Sequence, residues 1–307
     1  MCVDVDAKTR LSVTYSFHPA NGEESRHVVV IHHGILHSCE HFQKLIAAFN
    51  DRHISVVMVD QQSENSQDKN WITIGEYVLG LKAAIEQFQR DNPTYSIGIY
   101  VFHSMGANIG EVMQREFPEL REPTVLIAPI PKILGALPIF VRFLFTRPIS
   151  LAKAILNADL KSMASPPEQT RKVFFDDDTD DDIVNQAHSQ LKQSSFVSYL
   201  QVTFRWILTG CIARRTLPHL LLIRSKTDYI FKPWEFWWTR WWFRKQLRGD
   251  VLIPGGHDCF IENAEPTADC IAEFFKHHKE LKIHSAHQGI KGSSRASASS
   301  QASNKAD

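Results

Sequence analysis

Four short apolar runs, rich in β-branched residues, recur between residues 28 and 128. They are Val28-Val29-Val30-Ile31, Ile54 to Val59, Ile97 to Phe102 and Val125-Leu126-Ile127-Ala128. A strand with one wet face alternates apolar and polar residues, whereas a continuous apolar run fits a strand buried on both faces. Between the second and third runs, Ile74 to Phe88 carries apolar residues at 74, 78, 79, 81, 84, 85 and 88, a helical period, and Pro93 marks the exit. Gly106 to Phe117 reads as another helix. Strands buried on both faces and alternating with helices predict a mostly parallel, doubly wound α/β sheet. Leu11 to His18 alternates weakly and predicts a preceding strand.

The rhythm breaks after Pro129 and Pro131. From about 132 to 215 the chain reads as helices, and strands resume at Leu220. An insertion at that point sits beyond the carboxyl ends of the strands, where it forms a cap. The expected division is 1–131 for the first part of the core, 132–215 for the helical cap and 216–284 for the second part of the core. Residues 285–307 form a Ser/Ala-rich tail with too few large apolar residues to offset ordering entropy, so disorder is expected there. Leu134 to Leu156 is strongly apolar, but Arg142, Arg147, Pro148 and Lys153 interrupt it, which argues against a membrane span. The run Asp176 to Asp182 predicts a solvated linker that caps a helix beginning near Ile183. It lacks the glycine and final glutamate of a calcium loop. Residues 266–278 predict a closing helix.

Composition narrows the partners. Lys plus Arg equals Asp plus Glu, 34 of each, so no global field points to nucleic acid. With 307 residues and 43% apolar content, one catalytic domain with a sizeable insertion fits, as do two modest domains. The five cysteines, Cys2, Cys39, Cys211, Cys259 and Cys270, are scattered and form no Cys-x-x-Cys pair. A reduced, cytoplasmic protein is expected, and Met1 to Asp6 show no signal-peptide pattern.

Three motifs each follow a predicted strand. They are Phe102-His103-Ser104-Met105-Gly106, Thr227-Asp228 after Leu220 to Lys226, and Pro254-Gly255-Gly256-His257-Asp258. A serine hydroxyl is a weak nucleophile until an imidazole accepts its proton, and that imidazole needs a carboxylate to fix its tautomer. Ser104 is therefore the candidate nucleophile on a sharp strand-to-helix turn, with Gly106 leaving room where strand and helix meet. His257 is the candidate base and Asp228 the candidate acid. Taken alone, Ser104 also reads as a loop serine and His257 as a turn histidine; the ordered set carries the reading. His32, His33 and His37 surround Gly34 and invite a metal. However, residues 32 and 33 alternate faces at a strand end and no second ligand cluster accompanies them, so a structural or pocket-lining role is expected and no metal is assigned. Cys259 fits a buried small hydrophobe better than a nucleophile. The chemistry calls for no cofactor.

On these residues the chain resembles the α/β-hydrolase superfamily, in particular its capped serine esterase, lipase and lysophospholipase-like branch. The resemblance covers about residues 27 to 278. It rests on Ile31-His32-His33-Gly34, His103-Ser104-Met105-Gly106, Thr227-Asp228 and Pro254 to Asp258, in the order nucleophile, acid, base. It implies an α/β-hydrolase fold with a helical cap insertion. In the family, the residue after the His-Gly pair gives one oxyanion-hole N–H, which maps to Ile35. The residue after the nucleophile gives the other, here Met105. Ala128-Pro129-Ile130-Pro131 and the apolar helix after it look like a cap entrance in bacterial hydrolases of this type. No aspartate stands at the nucleophile position, against the dehalogenase and epoxide-hydrolase branches. Two places depart from the family pattern. Phe102 replaces the first glycine of Gly-x-Ser-x-Gly, so a bulky ring must find room beside the nucleophile helix. Gln61-Gln62-Ser63 replaces the common Gly-His-Gly.

The resemblance implies a serine hydrolase that cleaves a small-molecule or lipid-like carboxylic ester, with an apolar acyl or alcohol part, through an acyl-enzyme. An acyltransferase, a thioesterase, an amidase, a carbon–carbon hydrolase and a non-catalytic binding protein of the same fold remain open alternatives. Residues 231–245 hold five of the seven tryptophans. Trp234, Trp237, Trp238 and Trp241 share one helical stripe, with Arg240, Arg244 and Lys245 nearby. Such a stripe suits peripheral membrane contact, a pocket for a long acyl group, or packing on the sheet. No extended basic groove accompanies the rings, against nucleic-acid stacking.

Overall fold

The computed structural model of the protein describes residues 10–20, 26–63, 68–132, 135–204 and 217–278. Seven strands, β1 (Ser12–His18), β2 (His27–His32), β3 (Ser55–Gln62), β4 (Ser96–His103), β5 (Thr124–Ile127), β6 (Leu220–Ser225) and β7 (Leu247–Ile253), form one sheet. Their order is β1-β3-β2-β4-β5-β6-β7. β1 runs antiparallel on β3, and every other pair is parallel. The central strands are buried on both faces: Val28 to Ile31 and Val56 to Val59 expose no surface, as their unbroken apolar runs require. The edge strand β1 alternates buried and half-buried positions instead.

Three helices make the early crossovers: α1 (Gln43–Asp51), α2 (Ile74–Asp91) and α3 (Met105–Glu116). A capping box starts α2, with Thr73 Oγ1 accepting from Glu76 N–H and the Glu76 carboxylate accepting from Thr73 N–H. The helix runs three residues past Phe88, because its last turn faces solvent and carries no apolar marker in the sequence.

After β5 the described chain leaves the sheet for five helices, α4 (Leu137–Thr146), α5 (Pro148–Asn157), α6 (Pro167–Phe174), α7 (Asp181–Gln190) and α8 (Phe196–Thr203). They form the helical cap. The acidic run does cap a helix: Asp180 Oδ1 accepts from Asp182 N–H at 2.8 Å, so α7 begins two residues before Ile183. The aromatic segment is broken rather than one helix. A 3-10 turn at Pro233–Phe236 leads into the short α9 (Trp237–Trp242), and pairing of β7 with β6 then takes over. α10 (Cys259–Glu262) and α11, residues 264–278, close the fold. Among the described residues no helix is long and apolar enough to cross a membrane. The tail expected to be disordered and the last stretch of the expected cap, 205–215, lie outside the described residues.

Phe102 finds its room in the partner helix. Its ring is fully buried and stacks on Tyr100 with centroids 5.3 Å apart. A Cβ on Gly110 of α3 would lie 2.1 Å from a carbon of that ring. The bulk that the strand carries is bulk that the helix lacks.

Candidate active site

β4 ends at His103, and Ser104 turns the chain into α3 with φ 51° and ψ −119°. A positive φ is strained for a side chain larger than glycine. It is held here by Ser104 N–H donating to the Ile127 carbonyl at 3.0 Å and Ala107 N–H donating to the Ser104 carbonyl at 3.1 Å. The turn is tight: a Cβ on Gly106 would come within 2.5 Å of the His33 carbonyl oxygen.

Loops after β6 and β7 bring the other two motifs to this turn. His257 Nδ1 lies 2.9 Å from Asp228 Oδ2, and Nε2 lies 2.9 Å from Ser104 Oγ. A carboxylate only accepts, so Nδ1 carries the proton and Nε2 accepts from the serine hydroxyl. Phe231 N–H donates to Asp228 Oδ1 at 2.9 Å and fixes the carboxylate. All three side chains are buried. This is the geometry of a Ser-His-Asp triad. Burial alone lowers the imidazole pKa, but attraction and hydrogen bonding to Asp228, with help from Asp258, leave His257 raised above its ordinary 6.5.

A second buried group lies beside the triad. His37 Nε2 is 2.8 Å from Asp258 Oδ2, and His37 Nδ1 donates to the Ile35 carbonyl at 2.7 Å. His103 Nε2 lies 3.6 Å from Asp258 Oδ1. Burial, then the neighbouring His257 and His37, push His103 well below 6.5. Among the described residues, His37, His103 and Asp258 are the group whose ligand atoms, within 4.8 Å of one another, could hold a metal ion. His103 and Asp258 stand beside His37, a grouping that the expectation of no second ligand cluster did not include: they are the residues just before Ser104 and just after His257, which no spacing rule links to His37. The bond from His37 to Asp258 joins two of the three without an ion. His32 and His33 serve β3 instead. His32 Nε2 donates to Gln61 Oε1 at 2.7 Å, Gln61 Nε2 donates to the Tyr77 carbonyl, and Gln61 N–H donates to His33 Nε2 at 3.0 Å. Burial, then His33, push His32 down to about 3, so it stays neutral. Cys259 is fully buried, and burial pushes its thiol up to about 12.

Cap residues tie down both sides of the site. Leu36 N–H donates to Ser194 Oγ at 2.8 Å, and Lys192 N–H donates to the Leu36 carbonyl at 2.9 Å. Asp258 N–H donates to the Phe174 carbonyl at 2.9 Å. Ser104, Ile35 and Met105 open onto one narrow cavity of about 60 Å³. Its walls include Ile139, Phe143, Met163 and Phe174 of the cap and Phe231 of the core, and none of its lining residues is charged.

A family with this architecture, described as serine aminopeptidase, S33, matches residues 23–195, more than half of the chain. The chain belongs to this S33 family. No relative is found among curated proteins. Among solved structures it is similar to an esterase from Thermogutta terrifontis, with TM-score 0.65 and 14% identity over 91% of this chain and 98% of that one. It is also similar to a monoacylglycerol lipase from Paleococcus ferrophilus, with TM-score 0.58 and 15% identity over 87% and 99% of the two chains. A serine hydrolase involved in carbazole degradation gives TM-score 0.59 and 17% identity over 90% and 98%. These likenesses are of fold. The α/β-hydrolase fold, the S33 family and the triad geometry together make the protein a serine-dependent hydrolase with ester-type chemistry.

Proposed function

We propose that this S33 member hydrolyses carboxylic esters with an apolar acyl or alcohol part, using Ser104 as nucleophile, His257 as base and Asp228 as the orienting acid. His257 takes the proton as Ser104 Oγ attacks the carbonyl carbon. It then gives that proton to the leaving alcohol. Water, activated by the same imidazole, releases the acid and restores the serine. The N–H groups of Ile35 and Met105 hold the oxyanion. The pinned loop supports that role for Ile35: His33 Nδ1 donates to the Gly34 carbonyl at 2.8 Å, and a trans peptide sends the following N–H the opposite way. No cofactor enters these steps.

The observation that carries the substrate reading is the uncharged cavity. An aminopeptidase must hold the ammonium group of its substrate, and an unpaired buried charge is costly. The lining offers no carboxylate. The space is less than half of the roughly 150 Å³ that holds benzene in an engineered apolar cavity, so long chains require the cap side chains to shift. We take the cap as 132–215, over a core formed by 1–131 and 216–284. We place the enzyme in the cytoplasm, peripheral to a membrane. The described Cys39, Cys259 and Cys270 are free thiols, which supports a reducing compartment.

Fluorophosphonate labelling and a substrate panel test the reading. The wild type should label and Ser104→Ala should not. A butyryl ester should turn over with higher kcat/KM than any aminoacyl anilide. Faster cleavage of aminoacyl anilides would reverse the substrate assignment.

A further inference from the structure

The described residues expose thirteen large apolar side chains, and ten of them lie in two segments, 137–157 and 229–248. Phe145, Ile149 and Leu156 on the α4–α5 hairpin are 80%, 72% and 84% exposed. Trp234, Trp237 and Trp241 on the aromatic segment are 70%, 57% and 43% exposed. None of the six lines the active-site cavity. Single exposed apolar residues are ordinary; a concentration of this kind marks a contact surface.

The two segments form one joined structure. Arg142 of α4 donates to the carbonyls of Tyr229 and Ile230 at 2.6 and 2.7 Å and pairs with Glu235 at 2.6 Å. Thr146 Oγ1 and the Tyr229 hydroxyl are 2.8 Å apart. The inner sides of the same elements, through Ile139, Phe143, Ile230 and Phe231, line the cavity. The outer surface therefore backs directly onto the site.

Charge selects the occupant. The first segment carries three Lys or Arg residues and no acid; the second carries five, with Glu235 as its one acid. Glu235 is buried against Arg142 and presents no charge outward. This bias stands out in a chain with as many acidic as basic residues. Arg240, Arg244, Lys245 and Arg248 are all exposed beside the tryptophans; Arg240 pairs with Asp250 at 2.7 Å, which leaves Arg244, Lys245 and Arg248 as the outward charges, and the Arg244 guanidinium lies 5.0 Å from the Trp241 ring centre. A second copy of this face would set like charges against each other. Tryptophan with arginine and lysine at the edge of exposed aliphatic residues matches the boundary between lipid headgroups and acyl chains.

We propose that this face, the α4–α5 hairpin together with the Trp234–Trp241 segment, docks the protein peripherally on an anionic phospholipid surface. Docking presents the cap side of the cavity to the bilayer. That this delivers ester substrate rests on the function proposed above; the docking itself does not.

Cosedimentation of the full-length protein with phosphatidylglycerol–phosphatidylcholine vesicles, against pure phosphatidylcholine, tests the proposal. Binding should need the anionic lipid and weaken as salt rises. Arg244→Gln with Lys245→Gln should weaken partitioning about 25-fold, at about fivefold for each basic residue near the surface. Phe145→Ser with Ile149→Ser should also weaken it, while melting temperature and turnover of a soluble short-chain ester stay at wild-type values. Wild-type protein that ignores anionic vesicles, or variants that bind as the wild type does, would overturn the proposal. So would a concentration-dependent dimer that the Phe145→Ser, Ile149→Ser variant abolishes without any vesicle binding. Vesicle binding by a protein that cleaves no ester would leave docking standing and remove the substrate reading alone.

Discussion

Ser104 is held in a backbone conformation that disfavours any side chain, and the Ile127 carbonyl is one of its restraints. The position therefore sets the hydroxyl against His257 and does little else for the fold. Ser104→Ala, His257→Ala and Asp228→Asn should each remove ester turnover with the far-ultraviolet circular dichroism unchanged. The Asp228→Asn loss should approach the ~10⁴ of the worked serine-protease case, through a misplaced imidazole proton. Near-wild-type kcat for purified Asp228→Asn would remove Asp228 from its role. A second expectation concerns pH. The neutral imidazole is the active form, so a raised His257 sets the acid limb of kcat/KM above pH 6.5. Asp258→Asn removes one of the charges that raises it, so the limb should move to lower pH; a limb that stays put or rises would contradict this. The triad was legible because each member follows a strand in a recognisable phrase. The His37–Asp258 pair was not, because its members lie 221 positions apart and only the packing of two loops joins them.

Strand β4 and helix α3 meet through an exchange of volume between Phe102 and Gly110. Deleting the ring by Phe102→Gly should cost about 3–5 kcal/mol, the usual range for a buried phenylalanine. Gly110→Ala should cost about 1–3 kcal/mol or more by overpacking, since the new Cβ meets the ring at 2.1 Å. In the Phe102→Gly background the Gly110→Ala penalty should vanish. Chemical denaturation of the four proteins would show this as a coupling of about 0.5–3 kcal/mol, and additive losses would mean that the ring moves aside freely. Buried strands and amphipathic helices were readable from their apolar periods. Phe102 itself read as a departure from the family pattern, because its compensation sits eight residues later on another element. The aromatic segment stayed open between surface, pocket and core for a related reason: helical spacing does not say which way four tryptophans face, and the structure turns them outward on a 3-10 turn and a six-residue helix.

Across the whole molecule, buried histidines set the response to acid. Burial, ahead of neighbouring histidines, lowers His32 to about 3 and puts His41 and His103 well below 6.5. A histidine lowered on folding binds fewer protons folded than unfolded between its two pKa values. The stability it contributes is complete above about pH 6.5 and lost as pH falls toward the folded value. Each such group costs up to about 1.4 kcal/mol per pH unit. His257 runs the other way, adding stability that is complete below 6.5 and lost as pH rises through its folded value, so it leaves the slope below 6.5 unchanged. The melting temperature should therefore drop steeply from pH 6.5 to pH 5; a flat profile over that range would show that these imidazoles are hydrated and titrate alike in the folded and unfolded chain. At the same scale, the cap grips the catalytic core at two backbone points, Leu36 through Ser194 and Asp258 through Phe174. One of these adjoins the loop assigned to the oxyanion and the other adjoins His257. The arrangement acts as a bridle: the same cap that walls the cavity also steadies the two loops that carry the assigned oxyanion donor and the base.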